Sequence, residues 1–195
     1  MAHIAVLGLG NWGTAIARLW LLEGHKVTGW TIEQEVYESI TMSETNQKYL
    51  PNHPVPGLDA TMHLSEAVEG AEIVVLAVPS SVILDVMEDV LPHLQPGHVL
   101  LDLAKGLAPG KRLISEAIHT RLKEEGKSNP LAVLTGPTIA PEAAGGVMTT
   151  ALVASEDQAI AQRLAQTLST PSFILHPASD PVGAELWGAY KNVVA

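Results

Sequence analysis

The stretch from His3 to Ala17 constrains the fold more than any other part of the chain. It runs as a short apolar segment, His3-Ile4-Ala5-Val6-Leu7, then Gly8-Leu9-Gly10-Asn11-Trp12-Gly13, then Thr14-Ala15-Ile16-Ala17. Strand, glycine turn and helix start follow one another without a gap. Gly8 permits a tight turn out of the strand, Gly10 lets the backbone approach a pyrophosphate, and Gly13 allows the helix to sit close to the sheet. The helix start then offers unpaired N–H groups and a partial positive charge. A strand–turn–helix with chance glycines is the bland alternative. The context is the one a nicotinamide dinucleotide, NAD or NADP, requires.

A chain of 195 residues holds one large α/β domain, or one domain and the start of another. The first strand begins almost at the N-terminus, from which we expect no signal peptide. No apolar run approaches a membrane span, so no membrane insertion is expected. Cysteine is absent, which excludes disulfides and thiolate metal sites and fits a reducing, cytoplasmic setting. The net charge of −10 argues against a broad nucleic-acid surface. A dianionic cofactor must then be held by local donors against the overall field. The eight histidines form no HxxxH or HExxH pair, so no metal site is expected.

Strand and helix signals alternate along the rest. Strands are expected over Lys26–Thr31, Ile73–Val78, Val99–Leu103, Leu131–Thr135, Thr150–Ala154 and Phe173–Leu175. Between them lie helical segments near Thr14–Glu23, Glu33–Glu44, Ser65–Glu69, Val82–Leu94 (Ser80 or Ser81 as N-cap), Leu113–Glu125, Pro141–Ala144 and Asp157–Leu168. Asn46–Asp59, with three prolines, reads as an excursion loop. The unbroken run Ile73-Val74-Val75-Leu76-Ala77-Val78 suits a central strand covered on both faces. The whole predicts an α/β, Rossmann-like, doubly wound and mostly parallel sheet over residues 1–180. Residues 181–195 read as a helix with no cap after it, expected to open a helical domain that the chain does not contain.

Several residues could carry chemistry at the carboxyl edge of such a sheet. Glu33 lies 20 residues after Gly13, where an acidic side chain can bind the adenosine ribose, though it also fits a solvated first helical turn. No arginine follows Trp30, which favours NAD over NADP. Val78-Pro79-Ser80 is either turn chemistry or a cofactor contact. Lys105-Gly106 offers a point charge or is an exposed loop lysine. Gly136-Pro137-Thr138 ends another strand. On the last helix Ala184, Gly188, Lys191 and Ala195 share one face opposite Leu186, Ala189, Tyr190 and Val193. A single lysine among small residues suits close approach of a ligand or of a second backbone; a surface lysine is the alternative.

Taken together these motifs resemble NAD(P)-dependent glycerol-3-phosphate dehydrogenase from Ile4 to Ala195. The resemblance rests on Gly8-x-Gly10-Asn11-Trp12-Gly13-Thr14-Ala15, Lys48-Tyr49-Leu50-Pro51, Val78-Pro79-Ser80, Lys105-Gly106, Gly136-Pro137-Thr138-x-Ala140-x-Glu142 and Gly183-x-Glu185-Leu186-x-Gly188-Ala189-x-Lys191-Asn192-Val193-Val194. It implies an oxidoreductase of carbohydrate and glycerophospholipid metabolism that interconverts sn-glycerol 3-phosphate and dihydroxyacetone phosphate. It implies Asn11 and Trp12 beside the pyrophosphate, Ile32 at the adenosine end, and Val82 and Ala140 along the cofactor. Lys105 would touch cofactor and substrate, Gly136 and Thr138 the substrate, and Lys191 would exchange the proton at the C2 oxygen, supported by Asn192. A homodimer is implied for the full-length protein, and no turnover for this portion alone. The chain departs from the family pattern at Asn11, where bacterial members often carry serine, at Ile32 and at Tyr190. Another hydroxyacid dehydrogenase or ketopantoate-type reductase is the rival enzyme, and a non-catalytic NAD-binding module the rival of another class.

Overall fold

The computed structural model describes the backbone of residues 1–194 and the side chains of residues 1–190. Its strands are β1 (His3–Leu7), β2 (Lys26–Trp30), β3 (Asp59–Thr61), β4 (Ile73–Leu76), β5 (Val99–Asp102), β6 (Leu131–Thr135), β7 (Thr149–Ala154) and β8 (Phe173–Ala178). The helices are α1 (Asn11–Leu22), α2 (Gln34–Ser43), α3 (Leu64–Val68), α4 (Ile83–Val90), α5 (Ile114–Glu124), α6 (Ala140–Ala144), α7 (Gln158–Leu168) and α8 (Pro181–Val194). All eight strands form one sheet in the order β3-β2-β1-β4-β5-β6-β7-β8. Pairing is parallel throughout except between β6 and β7. The first six strands thus follow the Rossmann order, with the chain reversing its direction of travel between β1 and β4.

Side chains alternate across the sheet with period two, and both sets are apolar. Ile4, Val6, Ile73 and Val75 pack with Ile16 and Trp20 of α1 and Leu164 and Leu168 of α7. Ala5, Leu7, Val74 and Leu76 pack with Met87 and Val90 of α4 and Ile118 and Leu122 of α5. The result is three layers, helix–sheet–helix. The one polar atom of Trp20 is satisfied, its indole N–H donating to the Leu168 carbonyl at 3.1 Å. Among the described residues no helix is long and apolar enough to cross a membrane.

Five local readings need correction. The excursion loop ends in a short strand, β3, which pairs with β2 in parallel. Helix α1 starts at Asn11, three residues before Thr14, because the sharp turn is completed by Gly8 and Gly10 alone. Neither Ser80 nor Ser81 caps α4; Val82 holds the N-cap position without a side-chain bond. The same segment leaves α-helical geometry at Leu91–His93, where Pro92 lacks the N–H that the ladder needs. Strand β8 reaches Ala178 despite Pro177, which the outermost position in the sheet tolerates.

Candidate active site

The register places Leu7 beside Trp30 and Leu76, and Leu76 beside Asp102, so β2, β1, β4 and β5 end on one line. A cleft of about 940 Å³ opens there, at the switch point between β1 and β4. Gly8, Gly10, Asn11, Trp12, Ile32, Glu33, Pro79, Val82, Lys105, Thr138 and Ala140 all line it. The sequence singles out all eleven, and the topology gathers them from five separate β–α connections. Gly136 reaches the same place indirectly, through Lys105.

The glycine turn is built by contact. Gly8 has φ +108°, and a β-carbon there would lie 2.8 Å from the Ala77 carbonyl oxygen. A β-carbon on Gly13 would lie 1.8 Å from the Gly8 carbonyl oxygen, so α1 approaches the turn as closely as backbone allows. A β-carbon on Gly10 would meet no protein atom within 4 Å. That open volume faces a helix start whose first N–H groups have no intrahelical acceptor. The space and the donors fit a pyrophosphate.

Trp12, which lines the cleft, also packs edge-on against Phe173, ring centroids 5.9 Å apart. With Ala140 it flanks Ala15, Leu50 and Ala144. The loop carrying Leu50 is tied to the glycine turn by Asn46, which is fully buried. The Asn46 amide donates to the Leu9 carbonyl and the Thr14 hydroxyl, both at 2.8 Å, and its oxygen accepts from the Tyr49 N–H at 3.1 Å.

At the outer end of the cleft, Glu33 is the N-cap residue of α2 but makes no capping bond. Its carboxylate instead accepts from Lys48 Nζ at 2.5 Å and from the Tyr49 hydroxyl at 2.8 Å, and Lys48 also pairs with Glu35. The lysine and tyrosine hydrogen bonds hold the Glu33 carboxyl below its ordinary pKa. Although no arginine follows Trp30, a cation does stand beside Glu33. The positive charge arrives from the excursion loop, 15 residues farther along. The Lys48-Tyr49-Leu50-Pro51 motif was the available signal.

At the inner end, Lys105 Nζ donates to the Thr138 hydroxyl at 3.2 Å and to the Gly136 carbonyl at 3.4 Å. The three residues read as substrate contacts thus form one cluster. Helix α8 lies over this part of the sheet. Its Gly188 packs so tightly on β6 that a β-carbon would come 2.3 Å from Thr135 Oγ1. Close packing on β6 thus accounts for the glycine at 188, while Leu186, Trp187 and Tyr190 are exposed. The side chains of Lys191 and Asn192, expected in catalysis, lie outside the described residues.

Two buried carboxyl groups behind the site were not anticipated. Glu185 of α8 accepts from the Ser115 hydroxyl at 2.5 Å, from the Ser115 N–H at 3.3 Å, and from the Ile114 N–H. It caps α5, whose own N-cap residue, Leu113, has no polar side chain. Asp102 is fully buried; one oxygen accepts from the Ala104 N–H at 2.8 Å, and the other has no partner among the described residues. Burial, with the nearby Glu185 charge adding to it, pushes the Asp102 carboxyl up to about 8. An unfolded aspartate releases its proton near 3.8. The folded form thus binds more protons across that window, and stability falls as pH rises from about 4 to about 8. We expect Asp102→Asn to remove this slope. Relative to the variant, the parent should lose on the order of 3 kcal/mol between about pH 5 and about pH 8, at about 1.4 kcal/mol per pKa unit. Parallel denaturation curves across that range would show that Asp102 ionises normally.

Sheet order, glycine turn and cleft together define a Rossmann-type domain of the dinucleotide-binding class. Residues 3–161 match the family described as NAD-dependent glycerol-3-phosphate dehydrogenase N-terminus, and the chain belongs to it. It is 38% identical over 195 residues to a glycerol-3-phosphate dehydrogenase [NAD(P)+] of Syntrophotalea carbinolica, covering 99% of this chain and 58% of that protein. The corresponding protein of Rhodospirillum rubrum is 40% identical, with 99% and 55% covered. The crystal structure of glycerol-3-phosphate dehydrogenase from Coxiella burnetii superposes with a TM-score of 0.92 at 33% identity, covering 98% of this chain and 58% of that one. The chain therefore spans little more than half the length of these relatives.

Proposed function

We propose that this chain is the cofactor-binding part of an NAD(P)-dependent glycerol-3-phosphate dehydrogenase, which interconverts sn-glycerol 3-phosphate and dihydroxyacetone phosphate. The observation that carries the reading is the continuity of one cleft. It runs from the glycine turn and Glu33 to Lys105, which is bonded to Gly136 and Thr138. When bound, the nicotinamide exchanges a hydride with the substrate carbon. Asn11, Trp12 and the open space at Gly10 receive the pyrophosphate. Glu33 accepts a ribose hydroxyl, while Ile32, Pro79, Val82 and Ala140 line the cofactor path.

Lys105 neutralises charge on the substrate oxygen, with Gly136 and Thr138 fixing the position of its ammonium. Lys191 delivers or removes the proton at that oxygen, and Asn192 supports it; these two roles rest on the Gly183–Val194 motif. We read 1–180 as the cofactor domain and 181–195 as the opening of a substrate domain, supported by the exposed Leu186, Trp187 and Tyr190 and by the greater length of the relatives. Assembly as a homodimer rests on the family resemblance, and a cytoplasmic setting on the absence of cysteine.

The test is turnover by the full-length protein. Oxidation of NADH should be supported by dihydroxyacetone phosphate and not by ketopantoate or short β-keto acids. Preference for either of the latter would reassign the substrate, and NADH binding without turnover of any would make the protein a binding module. The 195-residue chain by itself should bind NADH and show negligible turnover, because substrate positioning needs contacts beyond this domain.

A further inference from the structure

The cluster of Glu33, Glu35, Lys48 and Tyr49 stands where the adenosine ribose would end, if the cleft takes a dinucleotide as proposed above. Its backbone is fixed. Asn46 and Leu50 hold the loop on either side of Lys48, and the Leu50 N–H donates to the Asn46 carbonyl at 2.9 Å. The lysine side chain is not fixed in the same way: it is 40% exposed and reaches its two carboxylates through a flexible four-carbon stem. A single ammonium serves two carboxylates, so the cluster carries one net negative charge.

That arrangement treats a ribose hydroxyl and a ribose phosphate differently. Each Glu33 oxygen already accepts one bond, from Tyr49 or from Lys48, and retains a further lone pair. A 2′-hydroxyl can therefore donate to Glu33 with the cluster intact. A 2′-phosphate has no proton to give and carries more charge than the carboxylates. It meets repulsion from Glu33 and Glu35 unless the ammonium turns toward it. Lys48 is the cation held at this end of the cleft, whereas Lys105 lies at the other, on Gly136 and Thr138.

We propose that Lys48 is the residue through which the cleft admits a 2′-phosphorylated dinucleotide, exchanging Glu33 and Glu35 for the phosphate, while the 2′-hydroxyl form binds with the lysine left on its carboxylates. Lys48 then sets how well NADPH competes with NADH and has little influence on NADH itself. The exchange also makes NADPH affinity the more salt-sensitive of the two, because it depends on an exposed charge pair.

Titrations of the protein with NADH and with NADPH, on the parent, Lys48→Met and Glu33→Gln, test this. Methionine keeps the apolar stem and removes the charge. Lys48→Met should weaken NADPH by about tenfold or more, the size of a lost hydrogen bond to a charged group, and change NADH by less than about threefold. Glu33→Gln should tighten NADPH and weaken NADH. The retained NADH affinity serves as the control for folding. Equal weakening of both dinucleotides by Lys48→Met would make the lysine a strut of the loop, and an unchanged NADPH affinity would remove it from the site; either overturns the proposal. So would a parent that binds NADH and not NADPH. A folded parent that binds neither would instead overturn the cofactor reading itself, and this one with it.

Discussion

In the full-length protein, Lys191→Ala should lower kcat by at least about a hundredfold while leaving NADH affinity nearly unchanged. About a hundredfold is the lower end of what a positioned proton donor contributes. The separation of the two effects follows from the layout of the cleft. The dinucleotide phosphates are assigned to the glycine turn at β1, and Lys191 is on α8, which packs against β6 and β7. Lys105→Ala should behave differently. Its ammonium is fixed by Gly136 and Thr138 beside the cofactor path, so its loss should raise KM and lower kcat together. Steady-state kinetics with dihydroxyacetone phosphate, after circular dichroism shows both variants folded, distinguish the two patterns. A folded Lys191→Ala enzyme with near-normal kcat would remove that lysine from the proton transfer.

The second large effect concerns stability. Gly13→Ala should destabilise the chain by about 3 kcal/mol or more, lowering Tm by roughly 10 °C, because overpacking here is against backbone and cannot be relieved by a rotamer change. The added carbon would sit 1.8 Å from the Gly8 carbonyl oxygen, and Gly8 is itself held at φ +108° against Ala77. The turn, α1 and the end of β4 would have to move together. Thermal melts give the answer directly; an unchanged Tm would mean that α1 does not press on the turn.

The sheet was readable because its strands are the kind that announce themselves. Ile73–Leu76 and Leu131–Leu134 are continuous apolar runs, as expected of strands covered on both faces. The helices between them carry a helical apolar period. Strand β3 was not readable: three residues, Asp59-Ala60-Thr61, with mixed burial show no period at all. The reversal between β6 and β7 is likewise invisible, since strand direction is not encoded in apolar alternation.

At the site, Gly8, Gly10 and Gly13 could be assigned one role each because backbone geometry leaves glycine little competition there. The Lys105–Gly136–Thr138 cluster is legible only as two separate loop ends, after β5 and after β6; sheet order brings them together. Lys48 beside Glu33 and Glu185 beneath α5 are long-range contacts, spanning 15 and 71 residues, and neither partner can be read from the residues around it; the Lys48-Tyr49-Leu50-Pro51 motif marks the lysine but not its carboxylates. Asp102 falls inside the expected strand Val99–Leu103, but no pattern in that run shows that it is buried with one oxygen unpartnered among the described residues.

The proposed function requires a dinucleotide at the glycine turn, and Gly10→Val isolates that requirement. Valine at this position meets no neighbouring protein atom at its β-carbon, and φ −74° is open to any residue, so the fold should be retained. The side chain would occupy the space assigned to the pyrophosphate. Calorimetric titration with NADH should show saturable binding to the parent chain and none to Gly10→Val at equal Tm. A folded Gly10→Val chain that binds NADH as the parent does would contradict the account.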